Sequence, residues 1–212
     1  ACRTAKVSKI ITARRFIELA KIGELIEGMK SEVSFLYLED IRNGLTLIDK
    51  AIGASGPMLP WLFRAHAEPT STAVILFTSG TEGEPKGVAL SHAQILANVE
   101  QVRAHLDLFP TDIVFNPLPV FHSFGLTVVS LMPLLLGLKS VQHPAALQAK
   151  VIAKRVRTTG STILLSTDTF LSQYTRAGEP NDLSSLRLAV CGAERVKEET
   201  RQLVRRKYNI EI

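Results

Sequence analysis

Short apolar runs alternate along most of the chain with stretches whose apolar residues recur at three- and four-residue spacing. The runs predict strands at residues 9–12, 34–38, 73–77, 113–116, 140–142, 162–165, 187–191 and 209–212, and a short one at 88–90. Strands alternating with helices are the pattern of βαβ units, so the expected fold is α/β with a mostly parallel sheet. Ser91-His92-Ala93-Gln94 reads as a capping box, and Ile95, Val99, Val102 and Leu106 then form an apolar stripe, so a helix starts at Ser91. The longest apolar run, residues 124–138, falls short of the ~20 residues that span a bilayer and reads as a buried helix. The cluster Gly53-Ala54-Ser55-Gly56-Pro57 breaks the pattern, and an irregular connection is expected from there to Pro69-Thr70-Ser71. No internal repeat or low-complexity tract is present.

At 212 residues and 46% apolar content the chain is long enough for one substantial core. The net charge of +5 gathers on helical surfaces: Lys150, Lys154 and Arg157 share one face, and Arg201, Arg205, Arg206 and Lys207 crowd another helix. Two readings stand, solvated faces or attraction to an acidic partner, either a carrier protein or an anionic phospholipid surface. Nucleic acid is disfavoured, because no aromatics interleave the basic residues and no binding motif occurs. Cys2 and Cys191 make neither a disulfide framework nor a zinc knuckle, which points to a reducing, cytoplasmic setting. No signal peptide is visible. His66, His92, His105 and His143 lack companions that would suggest a metal site.

The densest chemistry is Thr78-Ser79-Gly80-Thr81-Glu82-Gly83-Glu84-Pro85-Lys86-Gly87, directly after the apolar run 73–77. Gly80, Gly83 and Gly87 permit positive φ and close backbone approach to an anion; Thr78, Ser79 and Thr81 supply hydroxyl donors, and Lys86 a mobile charge. That suits a polyphosphate such as ATP, with Glu82 and Glu84 facing outward because they would repel it. The loop is neither a Walker A motif nor a G-x-G-x-x-G fingerprint, and a solvent-facing turn before residues 88–90 remains an alternative. Three other motifs also follow predicted strands: Phe121-His122 after Asn116, Thr167-Asp168-Thr169 after Leu165, and Gly192-Ala193-Glu194 after Cys191. Parallel sheets bind ligands at the carboxyl ends of their strands, so one crevice could collect all four. From its neighbours alone, His122 reads equally as a core histidine bonded to backbone.

The run Thr78 to Gly87 resembles T-S-G-[ST]-x-G-x-P-K-G of the adenylate-forming ligases: acyl-CoA synthetases, peptide-synthetase adenylation domains and beetle luciferases. Glu82, Gly87-Val88-Ala89-Leu90-Ser91-His92 and Ala97-Asn98-Val99-Glu100-Gln101 are similar to the acyl-[acyl carrier protein] synthetase part of bacterial 2-acylglycerophosphoethanolamine acyltransferases. So are the stretches from Leu118 to Leu126, Thr167 to Leu171 and Gly192 to Thr200. The resemblance implies a flavodoxin-like layered sheet flanked by helices, within a partial AMP-binding domain over residues 1–212. It implies activation of a fatty acid by ATP and Mg2+ as an acyl adenylate, then transfer to acyl carrier protein and on to lysophospholipid, in the cytoplasm or at the cytoplasmic face of the bacterial inner membrane. Thr78, Ser79, Gly80, Thr81, Glu82, Gly83, Lys86 and Gly87 would hold phosphates, and Gly192, Ala193 and Glu194 would line the adenine. His122 would face the carboxylate, with Phe124, Gly125 and Thr169 bordering the acyl pocket. In the family, the segment after residues 209–212 carries the adenine motif with its magnesium-binding glutamate, then a ribose aspartate and a lid domain with a catalytic lysine. The chain therefore reads as a fragment, expected to be inert alone and prone to self-association.

Rival classes are weaker. Neither G-x-S-x-G nor H-x-x-x-x-D occurs, so a serine hydrolase or direct acyltransferase lacks its nucleophile or base. An acyl-CoA synthetase using coenzyme A, or a noncatalytic module whose basic helices dock a carrier protein, remain the alternatives.

Overall fold

A computed structural model describes residues 2–78, 86–210 and 212. The chain forms two compact units, Ala1–Ala89 and Leu90–Ile212. In the first, β1 (Lys9–Thr12) leads through α1 (Arg14–Ala20) and α2 (Gly23–Met29) to β2 (Ser34–Tyr37), which pairs parallel to β1 with Lys9 opposite Ser34 and Thr12 opposite Tyr37. Two helices follow, α3 (Leu38–Gly44) and α4 (Leu47–Ser55), then a 3-10 turn at Pro60–Phe63. Strand β2 stops one residue before its predicted end because Leu38 opens α3. The Gly53 cluster does not break the chain where expected: Thr46 and Asp49 form a reciprocal capping box, and α4 carries Gly53, Ala54 and Ser55 inside its last turn. β3 (Thr72–Thr78) and β4 (Lys86–Ser91) make a two-stranded sheet.

The second unit holds the main core. Ser91 caps α5 (His92–His105): its Oγ accepts the Gln94 N–H at 3.2 Å while Gln94 Oε1 accepts the Ser91 N–H at 2.9 Å. The stripe on α5 buries Ile95 and Val99 and half-buries Val102 and Leu106, as its spacing predicts. Then come β5 (Ile113–Asn116), a π-helical segment (Gly125–Leu131) running into α6 (Met132–Leu135), β6 (Lys139–Gln142), α7 (Ala149–Thr159), β7 (Ile163–Ser166), α8 (Asp168–Ala177), β8 (Leu188–Cys191) and α9 (Glu198–Tyr208). The four strands form a parallel sheet in the order β6-β5-β7-β8.

Alternation along the strands divides the core in two. Phe115, Leu164 and Ala189 pack with Ile152, Val156, Leu171, Tyr174 and Val204 from α7, α8 and α9. Their neighbours Val114, Ile163 and Leu165 pack with Val99 of α5 and with Val128, Val129 and Met132. Each central strand is thus covered on both faces, which is why the runs read as continuously apolar.

Two expectations need correction. Residues 209–212 form no strand among those described: Asn209 takes φ 55 to cap α9 and Ile210 turns into the core, so the apolar pattern there reports burial rather than pairing. The run 124–138 is helical, but much of it is π-helical, and Leu134 and Leu135 are exposed. Pro133 supplies a cause, since its ring opposes the carbonyl of Val129 and brings no N–H; the wide turn is closed by Ser130 Oγ donating to the Gly125 carbonyl at 2.7 Å. No helix among the described residues is long and apolar enough to cross a membrane.

Candidate functional site

The parallel sheet has two different edges. At the amino ends of β5, β7 and β8, the Asp112 carboxylate accepts from Arg187 Nε at 2.9 Å, Arg187 Nη2 at 2.5 Å, Thr162 Oγ1 at 2.7 Å and the Phe109 N–H at 2.7 Å. Burial pulls the Asp112 carboxyl upward, but these bonds outweigh it and leave it at about 2.

The carboxyl ends carry the three motifs that follow β5, β7 and β8, and the structure brings them together. After β5, the buried Asn116 side chain fixes the turn: its Oδ1 accepts the Leu118 N–H at 2.8 Å, and its Nδ2 donates to Gln142 Oε1 at 2.6 Å and Ser130 Oγ at 3.1 Å. Sequence reading treated Asn116 only as a strand end; an amide closing an apolar run was the available signal. Gly125 packs so tightly that a Cβ there would lie 2.2 Å from the Pro119 carbonyl oxygen. That contact explains the glycine by packing. His122 is exposed, which removes its core reading, and its Nδ1 accepts the Phe124 N–H at 3.3 Å, leaving Nε2 to carry the ring proton in the neutral form.

The Phe124 ring reaches β8, where a Cβ on Gly192 would meet it at 3.0–3.2 Å. Gly192 is thus required by close approach, and the left-handed φ of this loop falls on Ala193, at 68°. Glu194 Oε1 accepts the Thr169 N–H and its Oε2 the Thr169 hydroxyl, both at 2.9 Å. The Thr169 N–H first, with the neighbouring threonine hydroxyls, holds the Glu194 carboxyl below the usual range. Thr169 therefore faces Glu194. Burial pushes the Cys191 thiol up to about 12, with Asp168 and Glu194 adding to it, so it is no nucleophile at neutral pH.

Two clefts run along α5. One, about 440 Å³, is lined by Gln94, Ile95, Asn98, Ser123, Phe124 and Thr127 among others; the other, about 290 Å³, by Val102, Leu106, Phe124, Val128 and Val190 among others. Phe124 and Val128 border both, which periodicity could not reveal. A larger hollow of about 470 Å³ is lined by α9 and the residues after it, none of them from the strand-end motifs.

Of the hydroxyl-glycine loop, Ser79, Gly80, Thr81, Glu82, Gly83, Glu84 and Pro85 lie outside the described residues. Thr78 ends β3 and Lys86 opens β4, both exposed. Gly87 lies within β4 without positive φ, and its missing Cβ admits Ile75 and Phe77 at 3.3 Å instead. Among the described residues no group of three or more His, Cys, Asp and Glu is placed to hold a metal ion. Ala193 and Glu194 are exposed and Gly192 is half-buried, and the Glu194 carboxylate disfavours a phosphate at this loop.

Residues 2–212 match the family described as AMP-binding enzyme. The medium-chain fatty-acid–CoA ligase of Escherichia coli (strain K12) is 37% identical over 126 residues, 57% of this chain and 21% of that protein. The medium-chain-fatty-acid–[acyl-carrier-protein] ligase TtuA of Teredinibacter turnerae is 30% identical over 102 residues, 44% of this chain and 16% of that protein. The solved structure of a fatty acyl-adenylate ligase from L. pneumophila, in complex with acyl adenylate and pyrophosphate, superposes with a TM-score of 0.72 at 20% identity, covering 98% of this chain and 35% of that one. The matches thus span about a fifth of the length of these curated relatives.

Proposed function

Because the chain belongs to the AMP-binding enzyme family, we propose that it serves an enzyme that activates a fatty acid with ATP. A carboxylate oxygen attacks the α-phosphorus, the bond to the bridging oxygen breaks, and pyrophosphate leaves with its electron pair. No protein nucleophile is needed; positioning and charge neutralisation provide the acceleration. The observation that carries this reading is the meeting of three strand-end motifs at one sheet edge, the Phe124 ring against Gly192, with His122 bonded to the Phe124 N–H, and Thr169 on Glu194. In this reading Gly192, Ala193 and Glu194 border the adenine, Thr78 and Lys86 belong to the phosphate loop, and His122 faces the carboxylate. The clefts shared by Phe124 and Val128 suit an acyl chain. Magnesium, used by the family in general, would neutralise phosphate charge.

The acyl group then passes to a thiol. The sequence resemblance favours acyl carrier protein, with onward transfer to lysophospholipid at the cytoplasmic face of a membrane; the name of the E. coli relative favours coenzyme A. ATP–pyrophosphate exchange by the full-length protein over a panel of fatty acids tests activation, and thioester formation with each thiol in turn decides the acceptor. Lys86→Ala should lower exchange by about a hundredfold, on the scale of a lost transition-state donor, with little effect on stability. Unchanged exchange removes the phosphate-loop assignment. The 212-residue chain is proposed to self-associate through side chains such as Leu47, Met58 and Trp61, which are 84%, 78% and 65% exposed. Light scattering across a concentration series checks this, and a monomer at all concentrations refutes it.

A further inference from the structure

Ala193 sits in the left-handed region that a residue with a Cβ rarely adopts. Such a conformation persists only where its surroundings over-determine it. The flanking contacts are unusually complete and come from one place. Gly192 N–H donates to the Ser166 carbonyl at 3.0 Å, just before α8. Glu194 takes both donors of Thr169, in the first turn of α8. The Lys197 N–H donates to Oδ1 of Asp168 at 3.0 Å, and Asp168, the first residue of α8, is 1% exposed. The loop is therefore held before Ala193, immediately after it, and four residues on.

We propose that Asp168 and Thr169 act as a clamp that holds the loop after β8 with Ala193 left-handed, so that the backbone of Gly192–Glu194 is set in its ligand-facing shape before any nucleotide arrives. The geometry supports a division of labour. Glu194 lies at the amino end of the ten-residue α8, where the helix dipole favours a carboxylate, and its bonds to Thr169 keep it ionised. Asp168 is tied down by burial, so it fixes the far end of the loop at Lys197. Asp168 and Thr169, the two halves of the clamp, need not touch substrate; both are positioning residues. Pre-organisation of this kind lowers the ordering cost of binding, so losing the clamp should weaken affinity for the ligand of this loop selectively.

The nucleotide consequence rests on the function proposed above, whereas the clamp itself does not, and the two are measured separately. In the full-length protein, Glu194→Gln and the milder Thr169→Val should raise KM for ATP about tenfold and about threefold, leaving KM for fatty acid within about twofold. Ala193→Gly permits the left-handed φ without support, so adding it to Glu194→Gln should return KM for ATP to within about threefold of the parent. Amide hydrogen exchange reads the clamp without activity: both Glu194→Gln and Asp168→Asn should speed exchange at Thr169 and Lys197, with no change at Val114 or Leu164. Equal loss for both substrates, or no recovery with Ala193→Gly, overturns the nucleotide role. Unaltered exchange at Thr169 and Lys197 overturns the clamp, and an inactive parent with altered exchange retains the clamp and refutes the function. Should Asp168→Asn fail to fold, the exposed Thr169→Val carries the same exchange test.

Discussion

The amino and carboxyl edges of the four-stranded sheet are built from the same three strands and hold themselves together differently. At the amino edge, Asp112, Thr162 and Arg187 satisfy one another, and no residue there takes a strained backbone. At the carboxyl edge, Ala193 is left-handed, the Phe124 ring presses on Gly192, and His122 stands exposed. Charge at the first edge is spent internally on fixing strand order, while at the second it leaves backbone and imidazole turned outward. Stability and ligand contact are thus separated by the length of a strand, which a parallel sheet permits because all its strands end on the same side.

Breaking the amino edge should give the largest effect. Asp112→Ala removes a buried carboxylate that Arg187, Thr162 and the Phe109 N–H all need, and should cost about 3 kcal/mol, as for one partner of a buried pair. Urea unfolding of the chain, followed by far-UV circular dichroism, measures it; a loss under about 1 kcal/mol would mean that the network is dispensable.

Acid gives a second, smaller test. The folded-state carboxyl of Asp112 lies at about 2, below its unfolded value near ~3.9. Its contribution is therefore fully present above about pH 4 and is lost as pH falls through about 2. Asp112→Asn should flatten stability over that window. A parallel pH dependence in parent and variant contradicts the assignment.

The strands and the motifs that follow them are legible in the sequence, whereas the Asp112 network at the amino edge is not, and the missing part has physical causes. Strand 113–116 is legible to the residue because its run ends before Pro117, which has no N–H for the ladder, and strand 9–12 because α1 opens two residues later at Arg14. The capping box at Ser91 and Gln94 was legible because it is local. Residues 209–212 misled because burial of Ile210 against α9 and pairing in a sheet leave the same apolar trace. Of the glycines expected to permit positive φ, Gly87 is instead used for close packing, as is Gly192, and an alanine takes the unusual angle. The clefts beside Phe124 and the bonds joining Thr169 to Glu194 connect residues 25 or more positions apart or on different elements, so no local pattern announces them.

Ala193→Gly should reverse the usual sign of a mutation. Glycine adopts φ 68 without the Cβ penalty, so despite its freer unfolded chain the variant should gain about 0.5 kcal/mol or lose nothing. Thermal unfolding against the parent reads it, and a loss beyond about 1 kcal/mol would mean that the angle carries no strain.

The smallest stability effect should come from His122→Ala, and that is where the two edges separate most clearly. His122 is exposed, its ring makes one long bond to the Phe124 N–H, and the turn around it is held by backbone bonds from His122 N–H to Pro119 and from Leu126 N–H to the His122 carbonyl, which alanine keeps. Stability should therefore stay within about 0.5 kcal/mol of the parent. Activity should not: if the imidazole faces the carboxylate, KM for fatty acid rises about tenfold while KM for ATP stays within about twofold, because Gly192, Ala193 and Glu194 follow a different strand. Unfolding and steady-state kinetics on the same full-length variant give both values. A selective loss of ATP affinity would move His122 to the nucleotide, and a stability loss matching that of Asp112→Ala would make the carboxyl edge structural like its opposite.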